Sequence, residues 1–355
     1  MLYVFLITLT AVILMLLLMP KLLPILKKMK FGQTIYELGP KHQQKQGTPN
    51  MGGILIGGIS TLVLIAGVVV LYALEAKEFE KAQAVDHSFS AMFFTLGNRL
   101  FPLLLITLGS MAIGFADDYI KDVKKRHDGL SPKQKLIMQL ALGAVFSTYC
   151  YFFVGHDILL PFTKSTWDLG WVYIPLMTLV VMFMTNSANL QDGLDGLLST
   201  VTVIGMAAFG AVCLTLQNIA GLDAYARAVL TIGCFSLVGS CIGFLRFNHY
   251  PAKIFMGDTG SMYIGGMMVG VAMLSKCVFP MILFCFTSIM SSVSVMLQVV
   301  YFKLTHGKRL FRMSPIHHHF ELCGMKETQI DLMYAIVTVV TSLIAIWSLT
   351  GFMNL

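Results

Sequence analysis

The sequence is short of charge. Asp, Glu, Lys and Arg make up 12% of its 355 residues, about half the share found in an ordinary soluble domain. Hydrophobic residues make up 56%, which is more apolar surface than one soluble core can bury. This balance excludes a soluble enzyme, a disordered chain and a collagen-like chain. It indicates a polytopic membrane protein in which lipid covers the surplus apolar surface.

The chain also lacks several familiar patterns. Its seven cysteines include no C-x-x-C pair and lie mostly inside apolar runs, so they predict small core side chains rather than disulfides or a zinc site. No internal repeat and no low-complexity segment is visible. The N-terminal apolar run has no basic leader and no small-residue cleavage site, and it is too long for a signal peptide. We therefore expect it to remain as a transmembrane helix.

Long apolar runs dominate what is present. A helix needs about 20 apolar residues to cross the hydrocarbon core of a bilayer. Ten segments free of Asp, Glu, Lys and Arg predict membrane spans, of which the ninth is long enough to be tilted or broken: Leu2–Met19, Met51–Leu74, Leu100–Ala116, Leu136–Val154, Leu169–Thr185, Leu197–Leu216, Ala228–Leu245, Thr259–Ser275, Cys277–Phe302 and Leu332–Thr350.

The basic residues predict the orientation of these spans. With ten spans, both termini lie on one side, and the five loops on the other side hold 19 of the 25 Lys and Arg residues. The positive-inside rule places those loops in the cytoplasm and both termini outside. Nearly all the unusual polar clusters lie in the same five loops, which favours one composite site at the cytoplasmic face.

Two adjacent acids, Asp117 and Asp118, follow the third span. A helix C-terminus carries a partial negative charge, so a pair of carboxylates there requires a cation. Lys121 and a divalent metal ion are the candidates. The alternative, that the acids only mark a helix leaving the membrane, accounts for one Asp better than for two.

A second acidic cluster, NLQDGLDG, joins the fifth and sixth spans. If this turn is helical, Asn189, Asp192 and Asp195 share a face. Gly193 and Gly196 then admit a ligand or another backbone. A tight turn with solvated acids is the alternative, and it explains the glycines but not the second Asp-Gly pair.

A third acid, Asp258, ends the stretch NHYPAKIFMGD just before the eighth span. Its carboxylate is either functional or an N-cap of the helix that follows. Phe255 offers an aromatic face on which a base could stack.

The cytoplasmic segment after the ninth span is rich in Lys, Arg and His, including His317, His318 and His319. Successive helical residues are about 100° apart, so three adjacent His cannot all bind one metal from a regular helix. Contact with an anion such as a diphosphate fits better. A loop attracted to anionic lipid headgroups is the alternative. It explains the Lys and Arg but not the histidines.

The oxygen ligands of these clusters favour Mg²⁺ or Mn²⁺ over zinc. The GTPNMGG stretch is not a Walker A loop, because the spacing and the trailing Lys-Ser/Thr are absent. Carboxylates, Mg²⁺ and basic residues at one membrane face predict phosphoryl chemistry on a lipid.

Five motifs in order, GTPNMGG, FADDYIKD, NLQDGLDGL, FNHYPAKIFMGD and SPIHHHFE, resemble the phospho-N-acetylmuramoyl-pentapeptide transferases, within the polyprenyl-phosphate N-acetylhexosamine-1-phosphate transferase superfamily. The resemblance spans nearly the whole chain. It implies one integral membrane transferase domain over residues 1–355, in the bacterial plasma membrane, with its active site facing the cytoplasm. Family members are often homodimers, so a homodimer is expected, and no nucleic acid is expected as a partner.

The resemblance implies transfer of phospho-N-acetylmuramoyl-pentapeptide from UDP to undecaprenyl phosphate, giving lipid I and UMP with Mg²⁺. It makes Asp258 the metal ligand and Asp117 the base or lipid-phosphate contact, with Phe255 stacking on uracil. Asp118 and His317 are placed with these catalytic groups, and the remaining residues of the implied substrate site are Lys45, Lys121, Lys133, Asn189, Asp192, Asp195, Asn248, Gln298 and His318. Two positions depart from the family pattern: Asn50 replaces a Thr, and Ser291 stands where an acid is common.

A phosphate monoester has a second pKa near 6, so undecaprenyl phosphate is already mostly dianionic at neutral pH. Direct attack on the diphosphate is our preferred path, and a two-step path through an aspartyl-phosphate is the alternative. A sister enzyme that transfers GlcNAc-1-phosphate to the same lipid is the nearest rival. An ion-coupled transporter is disfavoured, because its binding groups would lie near the bilayer midplane. A non-catalytic lipid scaffold would not need so many carboxylates.

Overall fold

The computed structural model of the protein describes residues 2–28, 47–81, 96–122, 129–217, 219 and 222–353. Lys45, expected in the site from the resemblance, lies outside them. The α-helices of the described residues are α1 Leu2–Lys28, α2 Gly53–Lys81, α3 Phe101–Asp122, α4 Pro132–Phe153, α5 Tyr173–Gln191, α6 Leu197–Thr215, α7 Ala224–Asn248, α8 Gly257–Leu274, α9 Val278–Phe284, α10 Phe286–Leu304, α11 Ile316–Leu322 and α12 Glu327–Ser348.

The helices follow the apolar runs of the sequence. Nine helical segments among the described residues are long and apolar enough to cross a membrane; they correspond to α1 to α7, α10 and α12. Each of the ten predicted segments falls on a helix. The ninth is divided at Cys285 into the short helix α9 and the longer helix α10.

Helix α8 is the centre of the molecule. Every residue from Thr259 to Leu274 is buried, because α2, α3, α5, α6, α7 and α9 all pack around it. Gly266 and Gly270 face Ile106 and Leu103 of α3 closely, as their small-residue spacing predicts. A helix shielded from lipid on all sides can carry Gly, Ser and Thr, as α8 does at Thr259, Gly260 and Ser261.

Local sequence signals define several helix ends. Ser131 caps α4 through a reciprocal pair of hydrogen bonds with Gln134, with Pro132 at the first helical position. Asp223 caps α7 by accepting a hydrogen bond from the Ala226 N–H at 2.7 Å. These caps satisfy backbone N–H groups of the first turn and fix the residue at which each helix begins.

Helices α3, α5 and α7 are among those that continue beyond the predicted apolar segments at the end of the molecule where the acids cluster. Helix α3 runs to Asp122, α5 to Gln191 and α7 to Asn248, which is six, six and three residues past the segment ends at Ala116, Thr185 and Leu245. Asp117 and Asp118 therefore lie within α3 rather than at its C-terminus. The expected dipole repulsion at that terminus is correspondingly weaker.

The opposite end carries a small antiparallel hairpin that the apolar pattern did not predict. Strand β1 (Asp157–Leu159) pairs with β2 (Thr166–Asp168). The Leu159 N–H donates to the Lys276 carbonyl at 2.9 Å, and the Lys276 ammonium contacts Asp157 Oδ1 at 2.6 Å. The hairpin is thereby attached to the turn that follows α8.

Candidate functional site

Two loops about 200 residues apart form one unit at the acidic end. The Phe255 N–H donates to the Pro49 carbonyl at 2.8 Å, and the Gly52 and Gly53 N–H groups donate to the carbonyls of Phe255 and Met256, each at 2.9 Å. These bonds join the GTPNMGG motif to the start of α8. The convergence of these two motifs, inferred from the sequence, is thus present in the described backbone.

Gly257 makes this junction compact. Its φ of +72° is a left-handed conformation that favours glycine. A Cβ at this position would come within 2.7 Å of both Asn50 Oδ1 and Asp118 Oδ2. Asn50, one of the two departures from the family pattern, therefore lies against the first residue of α8 and beside the acidic cluster.

Asp118 caps α8 from a neighbouring helix. Its carboxylate accepts hydrogen bonds from the Asp258 N–H at 3.0 Å, the Thr259 N–H at 2.8 Å and the Thr259 hydroxyl at 2.6 Å. The side chain is buried and faces the partial positive charge of a helix N-terminus. Asp118 thus fixes the backbone that carries Asp258 and points away from the open part of the site.

The Asp258 side chain is the centre of an ion-pair cluster. Its Oδ2 contacts the ammonium groups of Lys121 and Lys135, each at 3.0 Å. Its Oδ1 accepts a hydrogen bond from the Asn189 amide at 2.7 Å. The N-cap interpretation of Asp258 is therefore excluded, because its carboxylate points to these side chains and Asp118 performs the capping.

Asp117 shares the same cations. Its Oδ2 lies 2.6 Å from the Lys121 ammonium and 3.6 Å from that of Lys135, and its Oδ1 accepts a 2.6 Å hydrogen bond from the Leu130 N–H. The sequence correctly named Lys121 as a cation for this acid. We call Asp117, Lys121, Lys135, Asn189 and Asp258 the central cluster.

Lys135 is the site residue that sequence reasoning missed. Lys133, expected from the resemblance, is exposed on the first turn of α4. Lys135 is 15% exposed and reaches Asp258, Asp117 and Asn189 Oδ1, the last at 3.1 Å. The signal that could have identified it is its place one turn before Gln139 and two turns before Gly143, on the face of α4 that packs inward.

The NLQDGLDG residues do not share one helical face. Helix α5 ends at Gln191, so Asn189 is helical and joins the central cluster, whereas Asp192 and Asp195 follow in a turn. Asp195 is buried and accepts a 2.9 Å hydrogen bond from the Ala252 N–H. The expectation of one shared face was wrong because the Gly-rich turn ends the helix.

Asp192 is partly buried, and no hydrogen bond to its carboxylate is seen from the described residues. Loss of hydration raises the pKa of Asp192 well above its ordinary value, and the neighbouring carboxylates, first that of Asp258, add to the effect. A ligand that donates a hydrogen bond or brings positive charge would therefore be stabilised at this carboxyl group.

Asn248 supports this turn from α7. Its side-chain oxygen accepts from the Gly196 N–H at 3.2 Å, and its amide donates to the Ile254 carbonyl at 2.9 Å. Because Asn248 is buried and engaged on both sides, it positions the two loops. Phe255, the expected base-stacking residue, is partly buried in the second of these loops.

The three adjacent histidines point to different partners, as the helical geometry requires. His317 is fully buried, and Gly193 lies against its Nε2. His318 pairs with Glu321 at 2.6 Å, and His319 Nδ1 accepts from the Arg312 N–H at 3.1 Å. No metal site is formed by this triplet.

His317 is the unsatisfied member of the triplet. Neither of its ring nitrogens has a hydrogen-bond partner among the described residues. Burial lowers the pKa of His317 to about 3, so the ring is neutral at pH 7. A neutral imidazole against the Asp192–Gly193 turn can donate or accept one hydrogen bond from a ligand there.

Gln298 and the serines of α10 organise the segment that precedes the histidines. Gln298 accepts a 2.8 Å hydrogen bond from the Phe311 N–H, and Ser294 accepts one from the Ile316 N–H at 3.0 Å. Ser291, the second departure from the family pattern, is buried and bonded to the Thr287 carbonyl. Gln298 therefore acts on loop position here, and the polar part of α10 packs inside the protein.

The central cluster fits Mg²⁺ shared with a substrate. Among the described residues, no three His, Cys, Asp or Glu side chains are grouped so that they could hold a metal ion by themselves. Asp258 is 17% exposed and Asp117 lies beside it, which supplies oxygen donors. Mg²⁺ is commonly bound by one or two carboxylates together with substrate phosphates and water.

The chain was compared with known proteins. Residues 100–276 match Glycosyl transferase family 4. The protein of Acetivibrio thermocellus is 39% identical over 93% of this chain and 90% of its own length. That of Bacillus subtilis is 41% identical over 88% of each chain, and that of a Thermoanaerobacter species is 40% identical over 93% and 94%. All three are named phospho-N-acetylmuramoyl-pentapeptide-transferase, and at this identity and coverage the present chain belongs to the phospho-N-acetylmuramoyl-pentapeptide-transferase family.

Proposed function

We propose that this protein transfers phospho-N-acetylmuramoyl-pentapeptide from its UDP carrier to undecaprenyl phosphate, giving lipid I and UMP. The observation that carries the proposal is the central cluster, in which two lysines and two carboxylates meet at one end of the helices. Such an arrangement suits two anionic phosphates that must approach each other. The names of the relatives favour the muramoyl-pentapeptide donor over UDP-GlcNAc.

In the proposed reaction, an oxygen of the lipid phosphate attacks the sugar-linked phosphorus of the UDP-substrate. A new P–O bond forms, the diphosphate P–O bond breaks, and UMP leaves with its electron pair. Because the lipid phosphate is mostly dianionic at pH 7, no strong base is needed. The main task of the protein is to offset charge repulsion and to hold the groups in line.

Different residues of the site perform different parts of this task. Lys121 and Lys135 supply positive charge where the phosphates meet, and Asp117 orients both ammonium groups towards the lipid phosphate. Asp192 and Asn189 serve the nucleotide half, with Phe255 as the stacking face for uracil. His317 donates or accepts one hydrogen bond at the substrate. An aspartyl-phosphate path would use the same residues, with Asp117 or Asp258 as nucleophile.

Mg²⁺ bound by Asp258 would neutralise the diphosphate and stabilise the charge that develops on it. Asp118 keeps Asp258 in place through the N-terminus of α8. Asp195, Asn248 and Gln298 hold the loops, and His318 acts beside His317 through its pair with Glu321.

We further propose that α8 completes a set of ten membrane spans, with both termini outside and the site in the cytoplasm of a bacterial cell. Its 18 residues span about 27 Å at 1.5 Å per residue, close to the hydrocarbon thickness.

Cysteine labelling tests this topology. Cys323 is the one exposed cysteine, and the other six are buried. An impermeant thiol reagent should label Cys323 only in inverted vesicles, and Phe162→Cys in the hairpin only from outside. Reversed labelling would invert the topology.

We also propose one integral domain over residues 1–355 and a homodimer. One hydrophobic cluster runs from Ile7 to Phe352, which supports a single domain. The homodimer rests on the family resemblance. The mass of the purified protein in a detergent of known aggregation number tests it, and a monomer mass at all concentrations would contradict it.

An assay of UMP release tests the reaction. Purified protein receives undecaprenyl phosphate and either UDP-N-acetylmuramoyl-pentapeptide or UDP-GlcNAc. We expect UMP with the first donor only, in a reaction that EDTA stops and Mg²⁺ restores. Equal rates with UDP-GlcNAc would support the sister activity, and UMP release without the lipid would contradict transfer to it.

A further inference from the structure

A separate cavity lies behind the loops of the site. It has a volume of about 450 Å³, within the range of small-molecule pockets. Its walls are the last turn of α1, the turn that begins at Gly47, and the loop before α8. Leu23, Pro24 and Pro49 give it an apolar side, and Lys27 and Lys253 give it a basic side.

The two lysines of this cavity are available to a ligand. Both are exposed, and neither ammonium group has an ion-pair partner among the described residues. Among the described residues, no acidic side chain lines the cavity. Two unneutralised ammonium groups facing one space favour an anion, and a phosphate with several acceptor oxygens can bind both at once.

The position of the cavity favours a lipid as the source of that anion. Helix α1 has no charged residue before Lys21 and carries Lys27 and Lys28 in its last turn, which is typical of a helix leaving the hydrocarbon for the headgroup region. Leu23 and Pro24 lie one turn earlier and face the cavity. A ligand bound there would contact apolar surface on the membrane side and ammonium groups on the water side.

The cavity is distinct from the central cluster but attached to its loops. None of the five residues of the central cluster lines it. Two wall residues are bonded to site loops: the Ala252 N–H donates to Asp195, and the Pro49 carbonyl accepts from the Phe255 N–H. An occupant would therefore contact the outer side of the loops that carry Asp195 and Phe255.

We propose that this cavity binds the phosphate headgroup of an anionic phospholipid from the leaflet at the same end of the molecule. The headgroup phosphate bridges Lys27 and Lys253, and the glycerol and first acyl carbons lie against Leu23 and Pro24. The ligand is a membrane component and not a substrate of the transferase.

Native mass spectrometry of the full-length protein in detergent tests the proposal. Protein is titrated with phosphatidylglycerol or phosphatidylcholine, and the number of retained lipids is counted. We expect wild-type protein to retain one more phosphatidylglycerol than the Lys27→Gln/Lys253→Gln variant, with an apparent affinity at least tenfold higher for that lipid. The Lys27→Arg/Lys253→Arg variant should retain it, because the charge is kept.

A matched control removes the same charge nearby. Lys28 and Arg246 are exposed at the same end but do not line the cavity, so Lys28→Gln/Arg246→Gln should retain the lipid as wild type does. Equal loss in this control would reduce the effect to general surface charge and overturn the proposal. Equal retention of phosphatidylcholine would overturn it too.

Competition separates the sources of the phosphate. Excess inorganic phosphate or glycerol phosphate should leave the retained phosphatidylglycerol in place, and its displacement by them would identify a soluble anion instead. Undecaprenyl phosphate should not displace it either. Displacement by that lipid at equal concentration would show that the cavity binds the lipid substrate and would contradict the proposal.

Discussion

The two ends of the buried helix α8 use charge in different ways. At its C-terminal end, the Lys276 ammonium contacts Asp157 at 2.6 Å and is almost fully buried. This ion pair and the hydrogen bond from the Leu159 N–H to the Lys276 carbonyl attach the β1–β2 hairpin to the turn after α8. At its N-terminal end, two lysines are shared among Asp258, Asp117 and Asn189.

The aromatic residues differ between the same two ends. All three tryptophans, Trp167, Trp171 and Trp347, lie at the hairpin end and are more than half exposed. Phe162 packs edge-on against Trp347 there, with ring centres 5.2 Å apart. Exposed tryptophans at the ends of apolar helices are typical of a membrane interface. The hairpin end is thus adapted to lipid.

This contrast shows how similar residues serve structure or chemistry. A buried lysine paired with one carboxylate, such as Lys276 with Asp157, holds two elements together. Lysines that share several oxygen acceptors at a partly open site can exchange those contacts for substrate phosphates. The partly exposed Asp258 and Lys121, at 17% and 37%, are therefore the groups from which we expect catalysis.

The largest expected effect is the loss of the Asp258 carboxylate at the N-terminal end of α8. Asp258→Asn keeps the shape of the side chain but removes the charge that pairs with both lysines and that would hold Mg²⁺ in the proposed reaction. We expect turnover to fall at least about a hundredfold, as when one electrostatic stabiliser is removed. UMP release at saturating substrate measures it.

The matched change at the hairpin end is Asp157→Asn. It should leave turnover within about twofold of wild type, because Asp157 is remote from the site. It should lower stability by about 1.5–3 kcal/mol, the usual range for a hydrogen bond to a charged group, seen as a lower Tm. Near-normal activity in Asp258→Asn would contradict the contrast between the ends.

The second expected effect distinguishes two lysines on α4. Lys135→Gln removes an ammonium group from the central cluster, and we expect turnover to fall about tenfold or more, since a charge-assisted contact is worth about 1.5–3 kcal/mol. Lys133→Gln, two residues earlier and exposed, should change turnover little. A stronger effect of Lys133 would return that residue to the site and remove Lys135 from it.

These two lysines show where sequence reasoning reaches its limit. The five motifs could be assigned to one site from their order and from the positive-inside rule, and the helices could be placed from apolar runs. The choice between Lys133 and Lys135 depends on which face of α4 packs inward, and that face carries the buried Gln139, Gly143 and Phe146. The choice required the packing of α4, not only the order of the motifs.

Asp118 illustrates a limit of a different kind. Its bonds to Asp258 and Thr259 join residues 140 and 141 positions apart, so no local pattern predicts that it caps α8. The hairpin could not be predicted, because strands of three residues are too short to show an alternation of apolar and polar residues. Its stability comes instead from Lys276 after α8.

The third prediction concerns this cap. Asp118→Asn loses the charge that faces the N-terminus of α8 and one strong acceptor. We expect a loss of stability of about 1–2 kcal/mol, as for other N-caps, together with reduced turnover because Asp258 is displaced. Thermal unfolding and UMP release measure the two effects.

Asp223 at the hairpin end provides the control for that prediction. It caps α7 in the usual way, through Ala226. Asp223→Asn should lower the Tm similarly but leave turnover unchanged. If both variants kept full activity, Asp118 would be a structural cap without influence on Asp258.

The fourth prediction concerns His317 and pH. Burial lowers the pKa of His317 from 6.5 to about 3, so the unfolded chain binds a proton before the folded protein does. The stability from the neutral ring is complete above pH 6.5 and is lost as pH falls towards 3. At about 1.4 kcal/mol per pH unit, roughly 2 kcal/mol of the free energy of unfolding is lost between pH 7 and 5.

Thermal unfolding in detergent should therefore show a shallower pH dependence for His317→Gln than for wild type. An unchanged slope in His317→Gln would mean that this ring is charged or solvated in the folded protein.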